Sequence, residues 1–243
     1  MKLEASALIT INKHPHWRLE MAHIEHNATV QQESVLATNK VLKNTYMLLS
    51  MTLLFSAVAA MAAMALNVPR GAALIMSLAA IGIVWFVLPR TYNKASGIVW
   101  AFAFTGLLGA SLGPMLSMYL ALPNGASYVA QALGGTAIIT FGLSFYALTT
   151  KKDFSFLGGF IMVGVLVLIV GMIANLFFGS ALGSVMISGG VVLVMSLAIL
   201  FDTSRIINGG ETNYIRATVS LYLDIYNIFV HLLHLIAVFS GND

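Results

Sequence analysis

Seven apolar segments dominate this chain, at residues 46–66, 71–88, 97–120, 129–148, 156–178, 181–201 and 219–239. Each is 18 to 24 residues long, and about 20 residues at a rise of about 1.5 Å cross a hydrocarbon core of about 30 Å. A backbone in hydrocarbon must satisfy its own hydrogen bonds, so each segment is expected to be a helix; strands that cross a bilayer are about ten residues long and alternate in polarity. Charged residues make up 9% of the 243, against about 25% in a soluble domain, which leaves too few to cover a water-facing surface. The expected fold is all-α: a seven-helix transmembrane domain over residues 46–243, preceded by a polar tail over residues 1–45 with a short amphipathic stretch near 34–42.

Basic residues orient such a chain. Lys2, Lys13, Arg18, Lys40 and Lys43 lie in the tail, Arg90 and Lys94 in the second loop, Lys151 and Lys152 in the fourth, and Arg205 and Arg216 in the sixth. All of these fall on one side of the bilayer, and Arg70 alone falls on the other. The positive-inside rule makes the N-terminal tail cytoplasmic and the C-terminus external. The basic pI of 9.2 reflects these loops and gives no reason to expect nucleic-acid binding. With no cysteine, disulfides and thiolate metal sites are excluded. No signal-peptide pattern with a small-residue cleavage site is visible.

The ionisable chemistry is concentrated at the end of the chain. None of the nine Asp and Glu residues falls inside the first five segments, whereas Asp202 closes the sixth and Asp224 lies inside the seventh. A carboxylate near the centre of a membrane helix costs about 2.5 kcal/mol or more, so Asp224 is a candidate functional residue. Counted from the segment ends, the two acids are expected at similar depth on adjacent antiparallel helices. Two carboxylates in a low-dielectric site cannot both ionise cheaply, so as a pair they would share a proton or bind a hard cation such as calcium. Arg90 is a candidate counter-charge that latches the site. Asn227, His231 and His234 follow Asp224 at spacings of three, four and three, one helical stripe that offers a polar pathway toward the far face. Set against this are solvation of Asp202 beside Arg205, a loop role for Arg90, and packing roles for the histidines.

Two other patterns were weighed. Gly109-Ala-Ser-Leu-Gly113 matches the serine-nucleophile pattern, with Ser111 at the depth of His231; small residues are common in membrane helices for packing reasons, so no enzyme is expected. Retinal binding is disfavoured because no lysine follows Lys152. Gly106, Gly109 and Gly113, Gly159, Gly164 and Gly171, and Gly189 and Gly190 read as close helix contacts, and Pro114 as a kink in the third span.

The stretch from Asn208-Gly-Gly-Glu-Thr-Asn-Tyr to Asp224-Ile-Tyr-Asn-Ile-Phe229, together with Lys151-Lys-Asp-Phe-Ser-Phe-Leu157 and Val41-Leu-Lys-Asn-Thr-Tyr46, resembles the Bax inhibitor-1 family. The similarity is closest to its bacterial inner-membrane branch, which includes a modulator of the FtsH protease, and it covers roughly residues 21–242. The resemblance implies a last helix at the centre, surrounded by the other six. In some members it implies a pH-sensitive calcium leak through paired aspartates, at the positions of Asp202 and Asp224, with a basic latch near Arg90. In the protease-modulator branch it implies that a cytoplasmic N-terminal tail engages a membrane-bound ATP-dependent protease. The lipid bilayer is the other expected partner. The oligomeric state is not fixed by the sequence.

Overall fold

The computed structural model describes residues 16–241, with side chains from Leu36 onward. Seven helices in it are long and apolar enough to cross a membrane. We number them α1 (His16–Ala65), α2 (Arg70–Thr91), α3 (Ser96–Leu120), α4 (Gly125–Thr150), α5 (Leu157–Phe178), α6 (Ala181–Ile207) and α7 (Tyr214–Ser240). No strand occurs among the described residues.

The first difference from expectation lies in the tail. Residues 16–45 are helical and continuous with the first span, so α1 is 50 residues long. The sequence gives a reason: no glycine or proline occurs between His16 and Val68, so nothing interrupts the backbone ladder. The twenty residues before Leu36 extend the helix by about 30 Å beyond the span. Residues 1–15 of the expected tail lie outside the described residues.

The other helices are also longer than their apolar segments at most ends. The sixth runs on to Ile207 and the seventh begins at Tyr214. The start of α7 is fixed by Asn213, whose side-chain oxygen accepts from the backbone N–H groups of Ile215 and Arg216, each at 3.0 Å. This is an N-cap, which satisfies donors that the first helical turn leaves unpaired. Ser180 caps α6 in the same way through the Gly183 N–H, at 3.1 Å.

Prolines mark two irregularities. Ile83–Val87 in α2 form a π-turn, and the Leu88 N–H reaches back to the Ile83 carbonyl. Pro89 follows it and has no N–H to give to the carbonyl four residues back, so the ladder shifts register there. In α3 the ladder tightens at Leu112, which donates to Gly109 at 3.0 Å, immediately before Gly113 and Pro114.

Close approach explains five of the eight glycines expected to serve helix contacts. A Cβ on Gly109 would come within 2.7 Å of the Ser56 Cα, and one on Gly113 within 2.7 Å of the Ala63 Cβ, so α3 and α1 pack backbone to backbone. Gly106 meets the Phe55 ring on the same seam. Gly164 faces Val194 and Gly190 faces Leu168 between α5 and α6. Gly159 and Gly189 have nothing within 4 Å, so they do not serve this packing.

The last helix packs against α1, α3, α4 and α6. The other two spans flank the bundle, α2 against α3 and α5 against α6. The seventh helix is therefore central but directly surrounded by four neighbours. The most hydrophobic window of α5 has no buried residue, as suits an outer helix whose faces all meet lipid or one neighbour. The main core gathers Leu48, Phe104, Ile199, Leu221, Tyr222 and Ile228 around α7.

Candidate functional site

The lengths of α6 and α7 set the depth of the two acids. Asp224 lies ten residues inside α7, about 15 Å from its start, while Asp202 lies five residues from the end of α6, about 7 Å in. Counting from the apolar segments had put them level. They are offset by about one helical turn, and the five- or six-residue run-on of each helix past its apolar segment leaves that offset unchanged.

Asp202 is instead level with Ser220, whose hydroxyl donates to its Oδ2. Ser220 is one turn before Asp224 on the same face of α7. Asp224 is 6% exposed, and its Oδ2 is buried without a hydrogen-bond partner. The structure thus places Asp224 one helical turn from Ser220, the residue that bonds Asp202, with no hydrogen bond between the acids. An acceptor in this state is costly to bury, and it marks Asp224 as the most chemically unusual side chain of the bundle.

Above Asp202, a small pocket of about 50 Å³ is lined by Asp202, Arg205, Glu211, Arg216, Ala217 and Ser220. Glu211 sits in the loop between the two helices and is 8% exposed. Its carboxylate accepts from the Asn213 N–H at 2.8 Å and lies 3.6 Å from Arg216 and 3.9 Å from Arg205. Arg205 also donates to the Gly210 carbonyl at 3.1 Å. Arg216 lies over the Tyr92 ring, 5.4 Å from its centroid. Burial raises the Tyr92 hydroxyl above its usual pKa, with Arg216 opposing and Glu211 adding to the shift. Asn213 ties this loop to the one after α2, donating to the Tyr92 carbonyl at 2.9 Å and to Asn93 at 2.8 Å.

Arg90 is placed elsewhere. It is exposed and donates to the Phe86 carbonyl of its own helix, and it makes no ion pair among the described residues. The arginines that share a pocket with Asp202 are Arg205 and Arg216. Glu211 and Ser220 were not singled out by sequence reasoning. Ser220 carried a usable signal, since it lies four residues before Asp224 on the same helical stripe. Glu211 carried only its place in a glycine-flanked loop.

The remaining stripe residues separate. Asn227 donates to the Leu223 carbonyl of its own helix at 2.8 Å. His231 pairs with Ser188 of α6 at 3.1 Å, and His234 with Tyr119 of α3 at 3.3 Å. The Nε2 of His234 is buried without a partner. The two imidazoles therefore engage different neighbours. Among the described residues no cluster of three or more His, Cys, Asp or Glu side chains could hold a metal ion. Ser111 donates to the Leu108 carbonyl at 2.7 Å and lies 3.4 Å from the Tyr226 hydroxyl. It is not hydrogen-bonded to His231, so the serine–histidine pairing that the nucleophile pattern needs is not formed.

The opposite face of α7 is aromatic. Tyr222 shares a hydrogen bond of 2.7 Å with Ser56 of α1 and donates to the Thr105 carbonyl of α3 at 3.2 Å. It packs edge-on against Phe104 and stacks with Tyr226. At 3.6 residues per turn, 220, 224, 227 and 231 share one face and 222, 226 and 229 share the other.

Comparison with known proteins agrees with this architecture. The family model described as inhibitor of apoptosis-promoting Bax1 matches residues 38–241. An uncharacterised membrane protein of Vibrio cholerae is 54% identical over 215 residues, covering 88% of this chain and 96% of the relative. The Escherichia coli K12 protein named modulator of FtsH protease YccA is 52% identical over 210 residues, covering 86% of this chain and 94% of the relative. Its counterpart in another Escherichia coli strain is named inner membrane protein YccA. With seven helices able to cross a bilayer, this is a multi-pass protein of the inner membrane, and the chain belongs to the Bax inhibitor-1 family.

Proposed function

We propose that this protein is a regulator that binds and modulates a membrane-bound ATP-dependent protease of the FtsH type. The observation that carries the reading is the 52% identity, over 94% of its length, to a protein named as a modulator of that protease. In this reading the basic side of the bundle is cytoplasmic, as the distribution of Lys and Arg implies. The contact falls to the N-terminal part of α1, which continues beyond its span. No residue is assigned a catalytic role. Co-purification tests the reading: the full chain in mild detergent should retain the protease on an affinity resin, and a chain lacking residues 1–35 should lose it. Equal recovery of protease with and without the full chain on the resin would sink the proposal.

A second reading is a pH-sensitive leak for calcium or another cation at Asp202 and Asp224. The unpartnered, buried Oδ2 of Asp224, one turn from the Ser220 that bonds Asp202, favours it. Arg205 and Arg216 stand at the mouth of the pocket, so a cation would enter only after they swing aside. In this reading Arg205 and Arg216, held by Glu211, take the counter-charge role expected of Arg90. Calcium flux into proteoliposomes provides the test. Asp224→Asn should abolish any flux that changes between acidic and neutral pH, and unchanged flux in that variant removes the reading.

A further inference from the structure

On the aromatic face of α7, remote from the acid pocket, lies a second cavity of about 530 Å³. It is walled by α1, α3, α4 and α7, and every residue lining it belongs to a membrane-spanning helix. Its inner wall is Tyr222, Ile225, Tyr226 and Phe229 of α7. The first and last of these are 1% and 9% exposed, so the cavity reaches the central helix of the bundle. Helices α1 and α4 have no extended contact with each other. The cavity opens between them, past Met61 and Phe141, whose side chains are exposed on the bundle surface.

We propose that this cleft is a binding site for one hydrocarbon chain of a membrane lipid. The size falls within the range of about 300–1,000 Å³ that small-molecule sites occupy. No charged side chain lines the cleft. A file of waters needs polar partners that a largely carbon wall does not offer, and a charged ligand would be stranded there. A partner's transmembrane helix fits poorly as well. Such a helix is about 10 Å across with its side chains and packs on small residues along a full span. This opening is bordered by Met61, Leu133 and Phe141, and on α4 the lining runs only from Val129 to Phe141, about 18 Å of helix. A flexible chain entering sideways from the bilayer meets none of these objections. It gains dispersion contacts with walls that would otherwise face a void. The hydroxyls of Tyr222 and Ser56 are already bonded to each other at the cleft's inner end, and the unpartnered Oγ1 atoms of Thr136 and Thr140 are buried within its wall, so an apolar chain deprives none of them of a partner.

Quenching by brominated lipid tests the site. With Trp17, Trp85 and Trp100 replaced by phenylalanine, one reporter is placed in the cleft by Phe229→Trp and another in the closed core by Phe104→Trp. Each protein is reconstituted in vesicles of dibromo-phosphatidylcholine or of the unbrominated lipid. The cleft reporter should be quenched several-fold more than the core reporter. Filling the cleft with Ala57→Phe and Ala137→Phe should bring its quenching down to the core level. The milder Ala137→Leu should give an intermediate value and guards against a misfolded double variant. Equal quenching of the two reporters overturns the proposal, as does a cleft signal that ignores the fillers. Quenching that disappears as the protein-to-lipid ratio rises would mean that a second copy covers the cleft, and that also overturns it.

Discussion

The two faces of α7 solve opposite problems with the same backbone. Toward α6 the helix presents Ser220, Asp224 and His231, and the space at that end is about 50 Å³, lined by four charged residues with Ala217 and Ser220. Toward α1, α3 and α4 it presents Tyr222, Tyr226 and Phe229, and the space is about 530 Å³ with mostly carbon walls. On the polar face Ser220, Asn227 and His231 are each tied by a hydrogen bond, while the Oδ2 of Asp224 is the one carboxylate oxygen buried without a partner among the described residues. On the aromatic face, stability comes from ring packing and one hydroxyl chain, and room is left over. The lesson is that the costly groups of this protein lie where packing is tight, while the open volume lies where nothing charged can enter.

If that division is real, substitutions on the two faces should differ in sign. The largest loss is expected on the aromatic face. Tyr222→Ala removes a ring that is 1% exposed along with its bonds to Ser56 and Thr105, and should cost about 3–5 kcal/mol, read as a lower thermal midpoint in detergent. On the polar face, Asp224→Leu removes a buried acceptor that has no partner. It should leave stability unchanged or raise it by about 1–3 kcal/mol; a loss comparable to that of Tyr222→Ala would mean that Asp224 is structurally paired and the contrast is wrong. At the rim, Glu211→Gln releases Arg205 and Arg216 and should cost about 1 kcal/mol or less, an effect that shrinks at high salt.

The smallest effect is expected outside the bundle. Asp153 accepts from the Ser155 N–H at 2.8 Å, and bonding to Ser155 holds its carboxyl below the usual pKa. A lowered folded-state pKa contributes stability above the ordinary carboxylate value and loses it as the pH falls through the lowered one. Asp153→Asn should therefore change the midpoint barely at neutral pH and not at all in strong acid. A midpoint difference that grows on acidification would contradict this sign.

The seven spans were legible because an apolar run of about 20 residues has few other uses. The helix ends were not, since 202–207 and 214–218 are polar or mixed and read as loop. The one-turn offset was already present in the apolar-segment count, and the pairing of Asp202 with Ser220 is a tertiary contact that spacing within one helix does not show. The helical run before the first span was missed for the same reason: residues 16–45 are polar and charged, and only their lack of glycine and proline hinted at a continuous helix. Arg90 reads as a latch because it flanks the membrane, but its partner is set by tertiary placement, and it bonds the Phe86 carbonyl of its own helix. The small-residue seam of α3 was readable at Gly109 and Gly113, where spacing and contact coincide. The apolar cleft had no sequence signal, because it arises from a contact that α1 and α4 do not make.

The central claim concerns the partner. The direct measurement is the rate at which a purified FtsH-type protease degrades a membrane substrate in proteoliposomes, with the full chain, with a chain lacking residues 1–35, and with neither. The account predicts that the full chain changes the rate and that the shortened chain, still folded in the bilayer, leaves it at the level of protease alone. Identical rates in all three vesicle preparations would contradict it.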